Sequence, residues 1–246
     1  MEPTVIFENA DVVVINKPAG MVANKAETVL EETIQEWFFG KYLKNTVSGN
    51  TEGGKNEMSE FLEKGGVVHR LDKDTSGVMI LAKNEDAYKF LKQQFLERKT
   101  EKKYIALVHG QFRDESGEVA KPLMRHPRNR QRFTVGGDPV RTAITEWKVM
   151  KNVGKEFCLL ELFPHTGRTH QLRVHMQYLH HPIVSDPIYG FAKRWRQDFT
   201  WCTRLFLHAQ SLKLVLPGGE EKTFETQLPV ELEDALKNAA SFSESS

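Results

Sequence analysis

His69-Arg70-Leu71-Asp72-Lys73-Asp74-Thr75-Ser76-Gly77-Val78-Met79-Ile80-Leu81-Ala82 sets a polar run directly against an apolar one. Val78–Ala82 reads as a buried strand, aliphatic and uncharged. Thr75-Ser76-Gly77 reads as a turn. Upstream, Val67–Asp72 runs from a strand into a loop. Asp72 therefore falls at a strand end, a position that often presents a side chain to a cleft. A carboxylate there can act as nucleophile or base when a cation keeps it ionised.

Outward from this stretch, Asn84 is the N-cap of a helix through Arg98, with Ala87, Phe90, Leu91 and Phe95 on one face. Val5–Phe7 and Val12–Ile15 read as strands, ended by a turn at Pro18 and Gly20. Thr28–Lys44 reads as a helix: Thr28 and Glu31 form a capping-box pattern, and Leu30, Ile34, Trp37 and Phe38 recur at helical spacing. Asn45–Gly66 reads as a mobile surface loop with one helical turn near Phe61. Strands follow at Tyr104–Val108, Val119–Leu123, Thr142–Val149 and Phe157–Phe163, then a helix at Thr169–Leu179. Leu205–Leu216 and Thr223–Leu228 are the last strands, Val230–Ala239 the last helix, and Ser241–Ser246 a frayed tail. Strands in consecutive runs, not alternating with helices, define an α+β fold with a largely antiparallel sheet. Residues 1–240 read as one domain.

Composition narrows the function. The chain has 246 residues, 39% hydrophobic and 27% charged, as expected of an ordinary globule. No apolar run reaches membrane-spanning length, and Met1-Glu2-Pro3-Thr4 does not open a signal peptide. Two distant cysteines, Cys158 and Cys202, exclude a disulfide framework and a Cys-rich zinc site and fit a reducing cytoplasm. The net charge is only +1, but Arg125, Arg128, Arg130 and Arg132 fall within eight residues. Pro127 and the polar residues between them predict an exposed loop between strands, suited to a polyanion. An ordinary solvated loop is the alternative.

Three polar segments carry the candidate chemistry: the 69–77 run, Lys102-Lys103-Tyr104, and His165-Thr166-Gly167-Arg168-Thr169-His170-Gln171-Leu172-Arg173-Val174-His175. On the Thr169–Leu179 helix, Arg173 lies about 100° from Leu172, at the edge of the buried face, from which it can reach into a pocket and pair with Asp72. The alternative is a structural Asp–Arg pair. Tyr104 can stack on a base and pass a proton, or simply fill core. His165, His170 and His175 recur every five residues, about 140° apart on a helix, so they do not share a face for a metal. A kinase loop would need Asp where Leu71 stands, and no Gly-rich P-loop signature occurs.

Together these segments resemble the RluA-type pseudouridine synthase family. The resemblance runs through Asn16-Lys17-Pro18-Ala19-Gly20, HRLDKDTSG at 69–77, KKYIALVHG at 102–110 and HTGRTHQLRVH at 165–175. It continues in His181-Pro182-Ile183, Asp186 to Gly190 and Leu207-His208-Ala209. It implies the pseudouridine synthase α+β fold: a long mixed, mainly antiparallel sheet flanked by helices, with a central cleft. It implies isomerisation of uridine in ribosomal or transfer RNA after base flipping, with no metal or cofactor; a monomer in the cytoplasm is the default expectation beside it. It assigns Asp72 as the catalytic carboxylate, Tyr104 as the stacking tyrosine and Arg173 as the arginine paired with Asp72. Arg70 would help hold the flipped nucleotide, and Arg168 would be structural or phosphate-binding. An inactive RNA-binding relative would lack Asp72 or Tyr104. A hydrolase of free nucleosides would need paired carboxylates, and Asp74, beside Lys73 and a turn, points to solvent.

Overall fold

A computed structural model describes residues 2–26, 29–44, 59–191 and 193–242. The chain divides into two compact units, Met1–Thr100 with Leu212–Thr226, and Glu101–Ser211 with Gln227–Ser246.

The first unit carries β1 (Thr4–Glu8), β2 (Val12–Lys17), β3 (Ser76–Ala82), β10 (Glu221–Glu225) and the end of β9 (Leu207–Val215). Their order is β1-β2-β3-β9, with β10 on β9. β1 alternates between exposed and half-buried residues, as an edge strand does, whereas every residue of β3 is buried. β2 and β3 run antiparallel, with Val14 opposite Ile80 and Lys17 opposite Gly77. β3 starts two residues before the expected Val78. The turn is tighter and earlier than expected: the Thr75 amide donates to the Asp72 carbonyl at 3.1 Å, and Gly77, at a φ of 124°, is already in the sheet.

The first helix also departs from expectation. α1 spans Ile34–Phe38 and continues as a π-helical turn, Phe39–Leu43. Its N-cap is Thr33, whose side chain accepts from the Glu36 amide while Glu36 caps Thr33 in return. Thr28 lies outside the described residues, and Leu30 is 99% exposed, so the apolar face begins at Ile34. A second Thr-x-x-Glu pattern, five residues on, wins because only there does the capping box lead into Ile34, Trp37 and Phe38, all buried.

Of the expected 45–66 loop, residues 45–58 lie outside the described set; Ser59 caps the helical turn α2 (Glu60–Glu63), which buries Phe61. α3 (Glu85–Leu96) is capped by Asn84 as expected, but Phe90 is 40% exposed and Tyr88 packs inward instead. Gln94, buried on α3, bonds both ways to Val215: its amide donates to the carbonyl and its oxygen accepts from the N–H.

The second unit has strand order β9-β4-β8-β7-β5-β6, from the start of β9, β4 (Glu101–His109), β5 (Ser116–His126), β6 (Asn129–Val135), β7 (Thr142–Val153) and β8 (Phe157–Pro164). The registered pairs in both units are antiparallel, as the α+β reading requires. α4 (Gln171–Tyr178), α5 (Trp195–Asp198) and α6 (Val230–Phe242) belong here. α6 runs three residues past the expected Ala239, and 243–246 lie outside the described residues. Leu232, Ala235 and Ala239 of α6 share a core with Leu160, Leu162, Met176 and Phe206.

Gly66 shows how closely the first unit is packed. Its φ is +74°, and a Cβ there would lie 2.4 Å from the Ala82 carbonyl oxygen and 2.7 Å from the Phe38 ring. Gly66→Ala is expected to destabilise the protein by about 2 kcal/mol or more, read as a lowered melting midpoint.

Candidate active site

The loop carrying Asp72 is held by a buried lysine. Lys17 is fully buried, and its ammonium donates to the carbonyls of Pro18 (2.9 Å), Met21 (2.7 Å) and Lys73 (3.1 Å). The Gly20 amide reaches the same Lys73 carbonyl at 2.8 Å. Three carbonyl dipoles replace water around a charge that could not otherwise be buried. They also tie the Asn16–Gly20 turn to the residue after Asp72. Leu71 is buried, Asp72 half-buried and Arg70 exposed.

In the second unit, α4 is not the amphipathic helix its sequence suggests. Gln171 through Met176 are six consecutive buried residues. Arg173, expected at the edge of the buried face, is 2% exposed, because strands and the 186–189 segment surround the helix. Its Nε and one terminal nitrogen each donate at 2.7 Å to the two oxygens of Asp186, itself 1% exposed. The amides of Ile188 and Tyr189 donate to the same carboxylate at 2.8 and 2.9 Å. This is a bidentate, charge-assisted pair whose remaining acceptor capacity is used.

Tyr189 links Arg173 to the arginine-rich segment. The Arg173 guanidinium lies 5.1 Å from the Tyr189 ring centre and that of Arg132 5.5 Å from it. The Tyr189 hydroxyl accepts from the Phe133 amide at 2.8 Å and bonds His170 Nδ1 at 2.9 Å. Burial pushes its pKa up, against the lowering pull of the Phe133 hydrogen bond and the neighbouring arginines.

The arginine segment is not a loop. β5 and β6 pair as a hairpin, with His126 opposite Asn129 and only Pro127-Arg128 between them. Arg125 is on β5, Arg128 in the turn, and Arg130 and Arg132 on β6. Pro127 excludes helix, as expected, but a proline is also suited to the first central position of a tight turn. Arg125 donates to the Arg130 carbonyl and lies over Phe133. Arg125, Arg128 and Arg130 are exposed; Arg132 is half-buried, its Nε without a hydrogen-bond partner among the described residues.

Tyr104 is half-buried near the start of β4, opposite Leu162 of β8. Arg168 is exposed, but its backbone is fixed by Gln171, whose oxygen accepts from the Arg168 amide (3.0 Å) and the Thr166 hydroxyl (2.7 Å). The Gln171 amide donates onward to the Ile144 carbonyl and Thr145 hydroxyl. The three histidines go to separate partners: His165 to Glu146, His170 to Tyr189, His175 to Thr145. Burial lowers the His175 pKa to about 4.

These segments are those of one family. The family model described as RNA pseudouridylate synthase matches residues 11–178, and the chain belongs to that family. Among its relatives, a Borreliella burgdorferi protein named "Ribosomal large subunit pseudouridine synthase D" is 38% identical over 225 residues, 92% of this chain and 65% of its own length. The Bacillus subtilis protein named "Uncharacterized RNA pseudouridine synthase YlyB" is 35% identical over 97% of this chain and 73% of its own. An Aquifex aeolicus relative, 40% identical, is covered over 56% of its length, so the chain spans somewhat under two thirds of several of these proteins. The fold matches the solved human RNA Pseudouridylate Synthase Domain Containing 1, with TM-score 0.69, 24% identity, and 93% of this chain and 84% of that one covered.

Sequence reasoning singled out Asp72, Tyr104 and Arg173 but gave no role to Lys17, Gln171, Asp186 or Tyr189. All four stand within the family's motifs; what was missing was a reason to bury a lysine or to look thirteen residues past Arg173 for a carboxylate. Two outcomes follow from this geometry. Asp186→Asn removes the charge from the carboxyl group to which two nitrogens of the buried guanidinium donate and is expected to cost about 3–5 kcal/mol, measured by denaturant unfolding. His175, neutral when folded, stabilises the protein above its unfolded pKa of about 6.5 and loses that contribution as pH falls towards about 4. Wild type should therefore lose on the order of 3 kcal/mol more than His175→Gln between pH 7 and pH 4 in parallel urea titrations.

Proposed function

We propose that this chain is an RNA pseudouridine synthase with Asp72 as its catalytic carboxylate. The observation that carries the reading is the family match over residues 11–178, which contains Asp72, Tyr104 and Arg173. The reaction breaks the N1–C1′ bond of a uridine and joins C1′ to C5; the C5 proton is lost and N1 gains one. Atoms and electrons balance within the nucleotide, so no redox partner or group donor is required. The base must leave its stack to be reached. Asp72 then acts on the sugar or base as an ionised carboxylate, Arg173 supports its charge, and Tyr104 stacks on the uracil and assists removal of the C5 proton. Arg70 holds the flipped nucleotide.

The RNA lies along the β5–β6 hairpin, with Arg125, Arg128, Arg130 and Arg132 and the exposed Arg168 on its phosphates. Guanidinium groups gain little from exposure alone, and phosphate contact gives them a use. Ribosomal RNA is the favoured substrate, supported by the name of the Borreliella burgdorferi relative, with transfer RNA the alternative. No described helix is long and apolar enough to cross a membrane, and both cysteines are free and buried. A monomer working in the reducing cytoplasm is the accompanying reading.

Asp72→Asn is expected to fold, bind RNA and form no pseudouridine in a single-turnover assay; appreciable product would overturn the assignment. Tyr104→Phe should bind as tightly and react more slowly. An unchanged rate would leave Tyr104 only a stacking role. Replacing Arg128, Arg130 and Arg132 by Ala should weaken RNA binding and flatten its logarithmic salt dependence, by about 0.7–0.9 in slope for each phosphate no longer neutralised, with the rate at saturating RNA retained. Unchanged affinity and slope would move the RNA elsewhere, to Lys193, Arg194 and Arg196.

A further inference from the structure

We infer that His69 is a positioning residue for Asp72, its neutral imidazole acting as a side-chain rung in the β-ladder that fastens the Asp72 loop to β3. The inference rests on the reading of Asp72 as the catalytic carboxylate. β3 is wholly buried, so each of its backbone donors needs an acceptor. On one edge, the Ala82 amide donates to the Gly66 carbonyl at 2.9 Å, and Val67 bridges to Leu81. Two residues along, the next donor in this direction is the Ile80 amide, which donates to Nε2 of His69 at 3.0 Å. The chain has begun to leave the strand at this point, and the imidazole supplies the acceptor that the departing backbone no longer provides.

An accepting ring nitrogen carries no proton, so His69 is neutral with its hydrogen on Nδ1. The ring is also fixed in plane: it stacks on Phe95 of α3, with centres 4.5 Å apart and planes 16° from parallel. The other end of the loop is held at the Lys73 carbonyl by Lys17 and Gly20. Only Arg70, Leu71 and Asp72 lie between the two anchors, and Leu71 is buried. A loop pinned three residues before Asp72 and one after has little freedom in where it presents the carboxylate. Releasing the earlier pin leaves Lys17, Gly20 and the arginines of the β5–β6 hairpin in place, so it should cost chemistry more than binding.

The test compares His69→Leu, which fills space without an acceptor, with His69→Gln, whose amide oxygen can reach the Ile80 donor. Single-turnover rate at saturating RNA, RNA affinity and melting temperature are measured for both, with Asp72→Asn as control. His69→Leu is expected to slow the reaction by about tenfold to a hundredfold with affinity within about twofold, and His69→Gln to recover most of the rate. Nitrogen-15 NMR of the free protein should show His69 protonated at Nδ1 alone. A folded His69→Leu with normal rate, a Gln variant no better than Leu, or a proton on Nε2 overturns the inference. Should His69→Leu fail to fold, the Gln variant and the NMR signature decide it. If Asp72→Asn itself turns over, the functional reading fails; if that variant is inactive while His69→Leu is normal, only the positioning role fails.

Discussion

A guanidinium buried in a helix is the constraint around which the second unit is arranged. Arg173 is costly to remove from water, and the cost is offset only if its charge and its planar fork are matched. Asp186 does both, through two 2.7 Å bonds, and is in turn held by two backbone amides of its own segment. The carboxylate therefore cannot move without breaking a turn, and the arginine cannot move without stranding the carboxylate. Tyr189, which follows from that turn, carries the constraint out to β6 through its hydroxyl and to Arg132 through its ring. The hairpin and the buried arginine thus share one rigid support.

The first unit solves a similar problem with a different cation. Lys17 presents a compact charge with three donors, and three backbone carbonyls receive it. The three carbonyls fix three points of the chain. One of them is the residue after Asp72, so the lysine's burial and the placement of that loop are a single requirement. Gln171 is the neutral counterpart in the second unit, joining Thr166, Arg168, Ile144 and Thr145 through one amide.

These supports explain why polar residues crowd the motifs. A short segment leaving a strand exposes amides and carbonyls that must be satisfied in a buried setting. Residues such as Gln171 and Asp186 meet that need while the side chains they support, Arg168 and Arg173, carry the charge. Each such residue is ambiguous when read alone, because an amide or carboxylate that serves the backbone has the same letter as one that serves a substrate.

Periodicity and turn chemistry were enough to read the strands around Val12–Ile15, Val78–Ala82 and Phe157–Phe163, the Asn84 cap and the α+β class, since these depend on local patterns of burial and capping. Motif order was enough to place the family. The sequence did not reveal that α1 is capped by Thr33 and begins at Ile34, because two neighbouring capping patterns are equivalent until one of them is followed by buried residues. It did not reveal the β5–β6 hairpin either, where a dense run of arginines around Pro127 read as a loop. Least legible was Arg173: its helix carries a polar stripe by sequence yet is buried over six consecutive residues, and Asp186 lies in a separate segment. Partners distant along the chain are chosen by how the elements pack, and packing is decided by tertiary structure alone.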